Sequence, residues 1–367
     1  MNSLTELARL GQSVWLDFIR RSFLKSGELQ RLVDLGVTGV TSNPTIFQLA
    51  IAESDDYVAD LEKLAGRCQS VMDVYEALAV EDIRTAADIL LPVFRATGGA
   101  DGFVSLEVNP HLAHDTKGTV SEALRLFEQA DRPNVMIKVP ATAEGIPALA
   151  QLIADGVNVN ATLIFSLAHY NAIADAYISG LEKLSASGGD VSRVASVASF
   201  FLSRMDTAVD QKLKADGNTE LLGLAAVTNA RLAYIRFGEI FSGERWDRLA
   251  AQGARVQRPL WASTSTKNPD YPDTKYVDEL IGPYTVNTMP PATLQAFLNH
   301  GKAAPTLLTG QTEKTKLAGI LDRLAAQGII LDQITEDLQT RGLAAFSRSF
   351  DALLASIKKR CAEVAAA

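Results

Sequence analysis

An α/β protein built as a (β/α)8 (TIM) barrel with additional C-terminal helices is what the sequence predicts, on three observations. Strand-like and helix-like segments alternate from residue 13 to about 290 and yield eight strands, which matches a closed barrel better than an open sheet. Within strands, apolar and polar residues alternate. In Val157-Asn158-Val159-Asn160-Ala161-Thr162-Leu163 one face is apolar and the other carries Asn, Asn and Thr, a polar set that a barrel turns inward. Beyond about 291 only helical periodicity is left. The chain therefore reads as a single domain, 1–367, with the barrel over 1–290 and a helical layer over 291–367.

A short helix over 3–11 precedes the first strand, 13–19, an apolar run interrupted by Asp17. Residues 22–35 place Leu24, Leu29, Leu32 and Val33 on one helical side, and 36–41 returns to β-branched residues. At Thr41-Ser42-Asn43-Pro44-Thr45 the second strand stops, because Pro44 donates no backbone bond and suits the first turn of a helix. Helices follow over 55–66 and 70–97, the second with Val74, Leu78, Ile83, Ala87 and Leu90 at helical spacing. The loop 98–102 leads into a third strand, 103–108, with Glu107 near its end.

Helix 118–130, the apolar strand around Lys138, helix 144–154, strand 157–165 and helix 166–185 continue the alternation. Strand 193–201, helices 204–214 and 219–242, and strands 258–264 and 284–289 complete it. The tail is helical over 292–300, 312–326 and 332–356, with Gly342 expected to close one helix before another starts near Leu343.

With 367 residues, 47% of them apolar, the chain can bury a large core, and a formal net charge of -8 argues against a basic surface for nucleic acid or anionic lipid. Two cysteines, Cys68 and Cys361, are too few for a disulfide scaffold or a zinc site. The first residues lack the apolar core of a signal peptide and no stretch holds 18 consecutive apolar residues, so a cytoplasmic location is expected. No Gly-rich phosphate loop follows a strand, which gives nucleotide cofactors no support. His111, His114, His169 and His300 lack the spacing of a metal site and read as solvated or capping residues. In that setting the sequon Asn160-Ala161-Thr162 has no chemical meaning.

The chemistry-bearing feature is Lys138, the one cation in the run Val135–Val139. A strand this apolar is normally buried on both faces, and burying an ammonium without a partner costs on the order of several kcal/mol or forces it to give up its proton. A neutral lysine attacks carbonyls and forms a Schiff base. The structural alternative is an ammonium that reaches solvent at the strand end or pairs with a carboxylate. Asp17, Asn43, Glu107, Asn160, Thr162 and Ser199 lie at the ends of successive strands. Singly, each is a common turn or cap residue; together, two carboxylates near a lysine supply the proton transfers that imine chemistry requires. Arg204 after the sixth strand and Lys267 after the seventh stand where barrels hold phosphates, although either alone also fits a surface ion pair.

These residues resemble the transaldolase family. Thr41-Ser42-Asn43-Pro44-Thr45-Ile46-Phe47 is similar to its second-strand signature and Ile137-Lys138-Val139-Pro140-Ala141-Thr142-Ala143-Glu144-Gly145-Ile146 to its Schiff-base segment. Asn160-Ala161-Thr162-Leu163-Ile164-Phe165-Ser166 and Ser199-Phe200-Phe201-Leu202-Ser203-Arg204-Met205-Asp206 match two further segments in order and spacing, so the resemblance runs from Asp17 to about Pro290. It implies transfer of a dihydroxyacetone unit from sedoheptulose 7-phosphate or fructose 6-phosphate to glyceraldehyde 3-phosphate or erythrose 4-phosphate, a step of the pentose phosphate pathway, without cofactor or metal.

By the same resemblance Lys138 carries the imine, Asp17 is acid and base at the hydroxyl whose deprotonation breaks the bond, and Glu107 works through a water held by Thr162. Asn43, Asn160 and Ser199 hold the dihydroxyacetone hydroxyls, Phe201 shapes the pocket, and Arg204 and Lys267 bind the phosphate. Lys267 departs from the family's commoner pattern, an arginine in a Ser-Phe-Arg string, and exchanges a bidentate fork for a point charge. The long insertions and helical tail resemble the family's longer bacterial branch. A fructose 6-phosphate aldolase that releases dihydroxyacetone and a non-catalytic sugar-phosphate-binding barrel are the alternatives. The sequence leaves open monomer or homodimer, acceptor preference, and what the C-terminal helices cover.

Overall fold

Short apolar runs bounded by turn residues become eight strands: β1 (Gln12–Leu16), β2 (Val37–Thr41), β3 (Phe103–Glu107), β4 (Val135–Pro140), β5 (Val159–Ile164), β6 (Ser196–Phe201), β7 (Arg258–Ala262) and β8 (Thr285–Met289). In the computed structural model, which describes residues 2–52, 54–64 and 70–366, they pair in sequence order, all parallel, and β8 closes on β1. Helices cover the outside. The (β/α)8 barrel predicted from the alternation is the fold.

Because side chains alternate across a strand, the pairing register sorts the inward-facing residues into layers. Toward the N-terminal ends of the strands the lumen holds Trp15, Phe103, Met136, Val197, Leu260 and Val286, an apolar cluster separate from the core between strands and helices. Trp15 is fully buried, and its indole donates to Asp101 Oδ1 at 2.8 Å. Gly39 leaves room for that ring: a Cβ there would stand 2.5 Å from it. Two residues further along the strands the inward set turns polar. The lumen is therefore plugged at one end, and a cavity opens at the other.

Several expectations shift for local reasons. The first strand ends at Leu16, so Asp17 follows it rather than lying within it, although the Asp17 amide still donates to Met289 O at 2.8 Å. The helix expected over 22–35 is two, Arg21–Lys25 and Glu28–Leu35, because Gly27 between them adopts φ 83°. Glu244–Ala250 and Lys275–Asp278 are short helices in stretches for which the sequence predicts no element. Cys68 and the end of the helix expected over 55–66 lie outside the described residues.

The largest correction concerns the tail. Gly342 does not end a helix; Leu331–Ala366 is one helix of 36 residues that crosses the C-terminal face of the barrel. Glycine stands there because the helix passes close to β5. A Cβ on Gly342 would lie 3.0 Å from Leu163 Cδ2 and 3.4 Å from Arg204 Nη1. Sequence periodicity registers a glycine as a stop signal and carries no information about a neighbour so far along the chain.

Gly39→Ala tests the plug. The added methyl has no void to enter, so the midpoint of urea unfolding should fall by the equivalent of about 1–3 kcal/mol, the usual cost of overpacking a tight core.

Candidate active site

The parallel register places Glu107 beside Lys138 and Lys138 beside Asn160, one row across β3, β4 and β5. Lys138 is buried, and its Nζ donates to the Ser42 carbonyl at 2.9 Å and stands 3.2 Å from Glu107 Oε2. The amine is thus not isolated, as the apolar run alone had led us to expect. It has a carboxylate partner, itself buried, and a main-chain acceptor at the end of β2. Ion-pair distance is met, but the geometry leaves both Glu107 oxygens without a hydrogen bond among the described residues, and Thr162 Oγ1, two residues beyond Asn160 on β5, likewise lacks one. Burial raises the Glu107 pKa above the ordinary carboxylate range, opposed chiefly by the Lys138 charge.

Asp17 enters from the end of β1. Its Oδ1 accepts from Thr41 Oγ1 at 2.6 Å, and Thr41 Oγ1 lies 2.7 Å from Thr288 Oγ1. Burial raises this carboxyl too, while the Thr41 hydrogen bond and the charges of Lys138 and Arg204 pull it down. Two acids with raised proton affinity flanking one amine form an arrangement that can both deliver and remove protons.

A cavity of about 200 Å³ opens over this row, lined by Asp17, Asn43, Lys138, Thr162, Ser199, Phe201 and Arg204, among others. Ser199 Oγ donates to Asn160 Oδ1 at 2.7 Å, and Asn160 Nδ2 donates to Ser105 Oγ at 3.1 Å, so Asn160 bridges β3 and β6 from just behind the lining. Asn43 Oδ1 caps the helix Pro44–Ala52 by accepting from the Ile46 amide at 3.0 Å. The cap orients the Asn43 side chain while its amide nitrogen stays available. Phe201 packs on Phe165, ring centroids 5.5 Å apart.

Arg204 sits in the first turn of the helix Ser203–Ala215, where β6 ends. Its guanidinium lies over the Phe201 ring at 5.3 Å and the Phe346 ring at 5.8 Å, with no hydrogen bond or ion pair among the described residues. Burial lowers its pKa, an effect partly offset by Glu107 and Asp17. Lys267 is placed differently. It is exposed, donates to Ser265 Oγ at 2.7 Å, and borders a separate surface depression near Asp210 and Tyr271 rather than the cavity. The four histidines pair with surface carboxylates, Asp351, Glu144, Glu336 and Asp273. Among the described residues no cluster of three or more His, Cys, Asp or Glu could hold a metal ion.

Sequence reasoning missed Thr41 and Thr288 as Asp17's neighbours, the Ser42 carbonyl, and Phe346. A threonine at a strand end is ordinary, a carbonyl has no side-chain signature, and Thr288 meets Thr41 only because the barrel closes. Phe346 belongs to the helical tail, which no local pattern ties to the barrel mouth.

Fold and cavity define a class: a (β/α)8 enzyme with a buried amine and two carboxylates at the C-terminal ends of its strands. A family profile described as Transaldolase/Fructose-6-phosphate aldolase matches residues 14–357. A protein named Transaldolase from Saccharopolyspora erythraea is 47% identical over 361 residues, 98% of each chain. Proteins of that name from Thermobifida fusca (48% identical, 98% of each chain) and Thiobacillus denitrificans (49%, 97% of this chain and 100% of the relative) are similarly alike. The chain belongs to the transaldolase family.

The helix that carries Arg204 is anchored by Asp206, which is buried and accepts from the Ala226 amide at 2.7 Å and the Tyr276 hydroxyl at 2.8 Å. Burial pushes its pKa up to about 6. A carboxyl whose folded pKa exceeds its unfolded value, about 3.9, stabilises while protonated and loses that contribution as pH rises through about 6. Urea unfolding of wild type and Asp206→Asn should therefore diverge with pH. From pH 4 to 7 the wild type should lose on the order of 2 kcal/mol relative to the variant.

Proposed function

We propose that the chain transfers a dihydroxyacetone unit from a ketose phosphate, sedoheptulose 7-phosphate or fructose 6-phosphate, to glyceraldehyde 3-phosphate or erythrose 4-phosphate through a Schiff base on Lys138. Sugar phosphates are the substrates of this family's reaction, a step of the pentose phosphate pathway. The observation that carries the residue assignment is the buried Lys138 amine 3.2 Å from a buried carboxylate, facing a cavity also lined by Arg204, whose guanidinium makes no ion pair among the described residues.

Lys138 Nζ adds to the ketose carbonyl carbon, and the carbinolamine loses water to give the imine. Glu107 serves that dehydration, and the later hydrolysis, through a water shared with Thr162; the unmatched oxygens of both residues support this role. Asp17 removes the proton from the hydroxyl next to the scissile bond. The carbon–carbon bond then breaks, its electrons pass into the imine as an enamine, and an aldose phosphate departs. An acceptor aldehyde takes the enamine carbon and recovers the proton from Asp17. Asn43, Asn160 and Ser199 hold the dihydroxyacetone hydroxyls, Phe201 walls the pocket, and Arg204 takes the phosphate. Lys267, on the exposed loop outside the cavity, assists as a longer-range positive charge.

The whole chain is read as one transaldolase domain, since Phe346 of the tail lines the same cavity as Lys138. A cytoplasmic location and a monomer or homodimer belong to the proposal; among the described residues no helix is long and apolar enough to cross a membrane.

Borohydride reduction in the presence of fructose 6-phosphate, followed by peptide mapping, tests the assignment. The adduct should map to Lys138 and vanish in Lys138→Ala; an adduct on another peptide overturns it. Free dihydroxyacetone accumulating without an acceptor favours an aldolase instead. Asp17→Asn should lower kcat by about 10²–10⁴ while trapping persists, as expected when one acid–base group is removed. Arg204→Ala should raise KM for the ketose phosphate about tenfold or more, and Lys267→Ala by less, with kcat little changed in either, since the phosphate is remote from the bond broken.

A further inference from the structure

We propose that the terminal helix, Leu331–Ala366, forms the outer wall of the phosphate end of the cavity, and that Phe346 and Gly342 are positioning residues that hold the Arg204 guanidinium open for an oxyanion. The inference rests on reading Arg204 as the phosphate-binding cation.

Arg204 is the residue that needs explaining. A flexible cation so near Asp17 and Glu107 is expected to fold back onto one of them, yet it makes no ion pair among the described residues, and those acids act on it only at longer range. It lies over two aromatic rings instead. Phe201 from β6 covers one approach at 5.3 Å and Phe346 from the terminal helix another at 5.8 Å. Aromatic rings attract the planar cation through its faces and leave the N–H edge unspent, which is the edge a phosphate uses. Phe346 is 3% exposed and borders the cavity, so it both packs and faces the site.

The backbone around Phe346 is fixed closely enough for this task. Gln339 Nε2 donates to Ala141 O at 2.9 Å and to Leu163 O at 3.2 Å, tying the helix to the ends of β4 and β5. Leu163 has φ 57°, a left-handed conformation unusual for leucine, and the Gln339 bond to its carbonyl helps to hold it. Gly342 lets the helix come close enough that Arg204 Nη1 is bounded from above. Thr45 Oγ1 donates to Ser349 Oγ at 2.9 Å, and the Arg360 guanidinium donates to Ile51 O and Ser54 O, which pins the same face along the helix that follows Asn43. Positions 339, 342, 346, 349 and 360 all fall on one helical stripe. That stripe meets the barrel mouth rather than its flank.

The test compares Phe346→Ala, Phe346→Tyr, Gly342→Ala, Arg204→Ala and the double variant Phe346→Ala/Arg204→Ala. Each is assayed with fructose 6-phosphate and by borohydride trapping with dihydroxyacetone, which has no phosphate. Phe346→Ala should raise KM for the ketose phosphate about tenfold, with kcat within about twofold and dihydroxyacetone trapping at the normal rate. Phe346→Tyr, which keeps the ring, should restore KM. The double variant should be no worse than Arg204→Ala, since both changes remove one interaction.

An unchanged KM in Phe346→Ala, or KM effects that multiply in the double variant, overturns the proposal. Loss of dihydroxyacetone trapping in parallel with the KM change also overturns it, because the helix then only supports the barrel. If Phe346→Ala does not fold, Gly342→Ala carries the same expectations, its methyl acting at 3.4 Å from the guanidinium. A normal KM in Arg204→Ala, with Lys138 still trapped, removes the phosphate reading of Arg204 itself and leaves the imine assignment standing.

Discussion

A buried lysine beside a buried glutamate is the constraint on which the rest of the structure depends. Removing two charged groups from water costs several kcal/mol each, and their attraction offsets this only when the geometry is good. Here it is incomplete, since both Glu107 oxygens lack an aligned hydrogen bond among the described residues. The pair is a poor stabiliser. It persists because the barrel leaves it no alternative: Glu107, Lys138 and Asn160 are register partners on three successive strands, and a slip of one residue would turn all of them to the helix side.

The other half of the lumen makes that arrangement affordable. One layer below the polar row, Trp15 and its apolar neighbours fill the barrel to the width of Gly39, and the indole's one polar atom is satisfied by Asp101. Strands held apart and in register by this layer present their next inward residues at fixed positions. Stability is concentrated toward the N-terminal ends of the strands and reactivity toward the C-terminal ends, within about two residues of each other along each strand. Layering at this spacing follows directly from the period of two in side-chain direction.

What the sequence made legible follows the same division. Period-two alternation in 157–163 announced an inward polar face, and a lone cation in 135–139 announced Lys138, because each of these signals is local. Four spaced segments carried the resemblance to a family. Contacts made by closure were illegible: Thr288 reaches Thr41 only across the β8–β1 seam, and the Ser42 carbonyl is a backbone group with no residue signature. Lys267 was legible as a cation after the seventh strand, yet the direction of its side chain is set by a loop, and that loop turns it away from the cavity. Gly342 was read as a terminator, although its meaning lies in Leu163 and Arg204, which are distant in sequence.

The terminal helix links these two kinds of information. In a barrel the catalytic residues come from strand ends and are therefore as rigid as the sheet, whereas a phosphate held at the mouth depends on a long arginine with many conformations. Rigidity at that position has to come from outside the barrel. Phe201 supplies part of it from β6, but a single ring leaves the guanidinium free to rotate toward Asp17 or Glu107, where it would pair with an acid that the proposed reaction uses. Phe346 closes that route. On the proposed reading, a tail that appears in the sequence as an appendix to a finished barrel keeps proton transfer and anion binding apart, and its Phe346 lines the same cavity as Lys138 and Arg204.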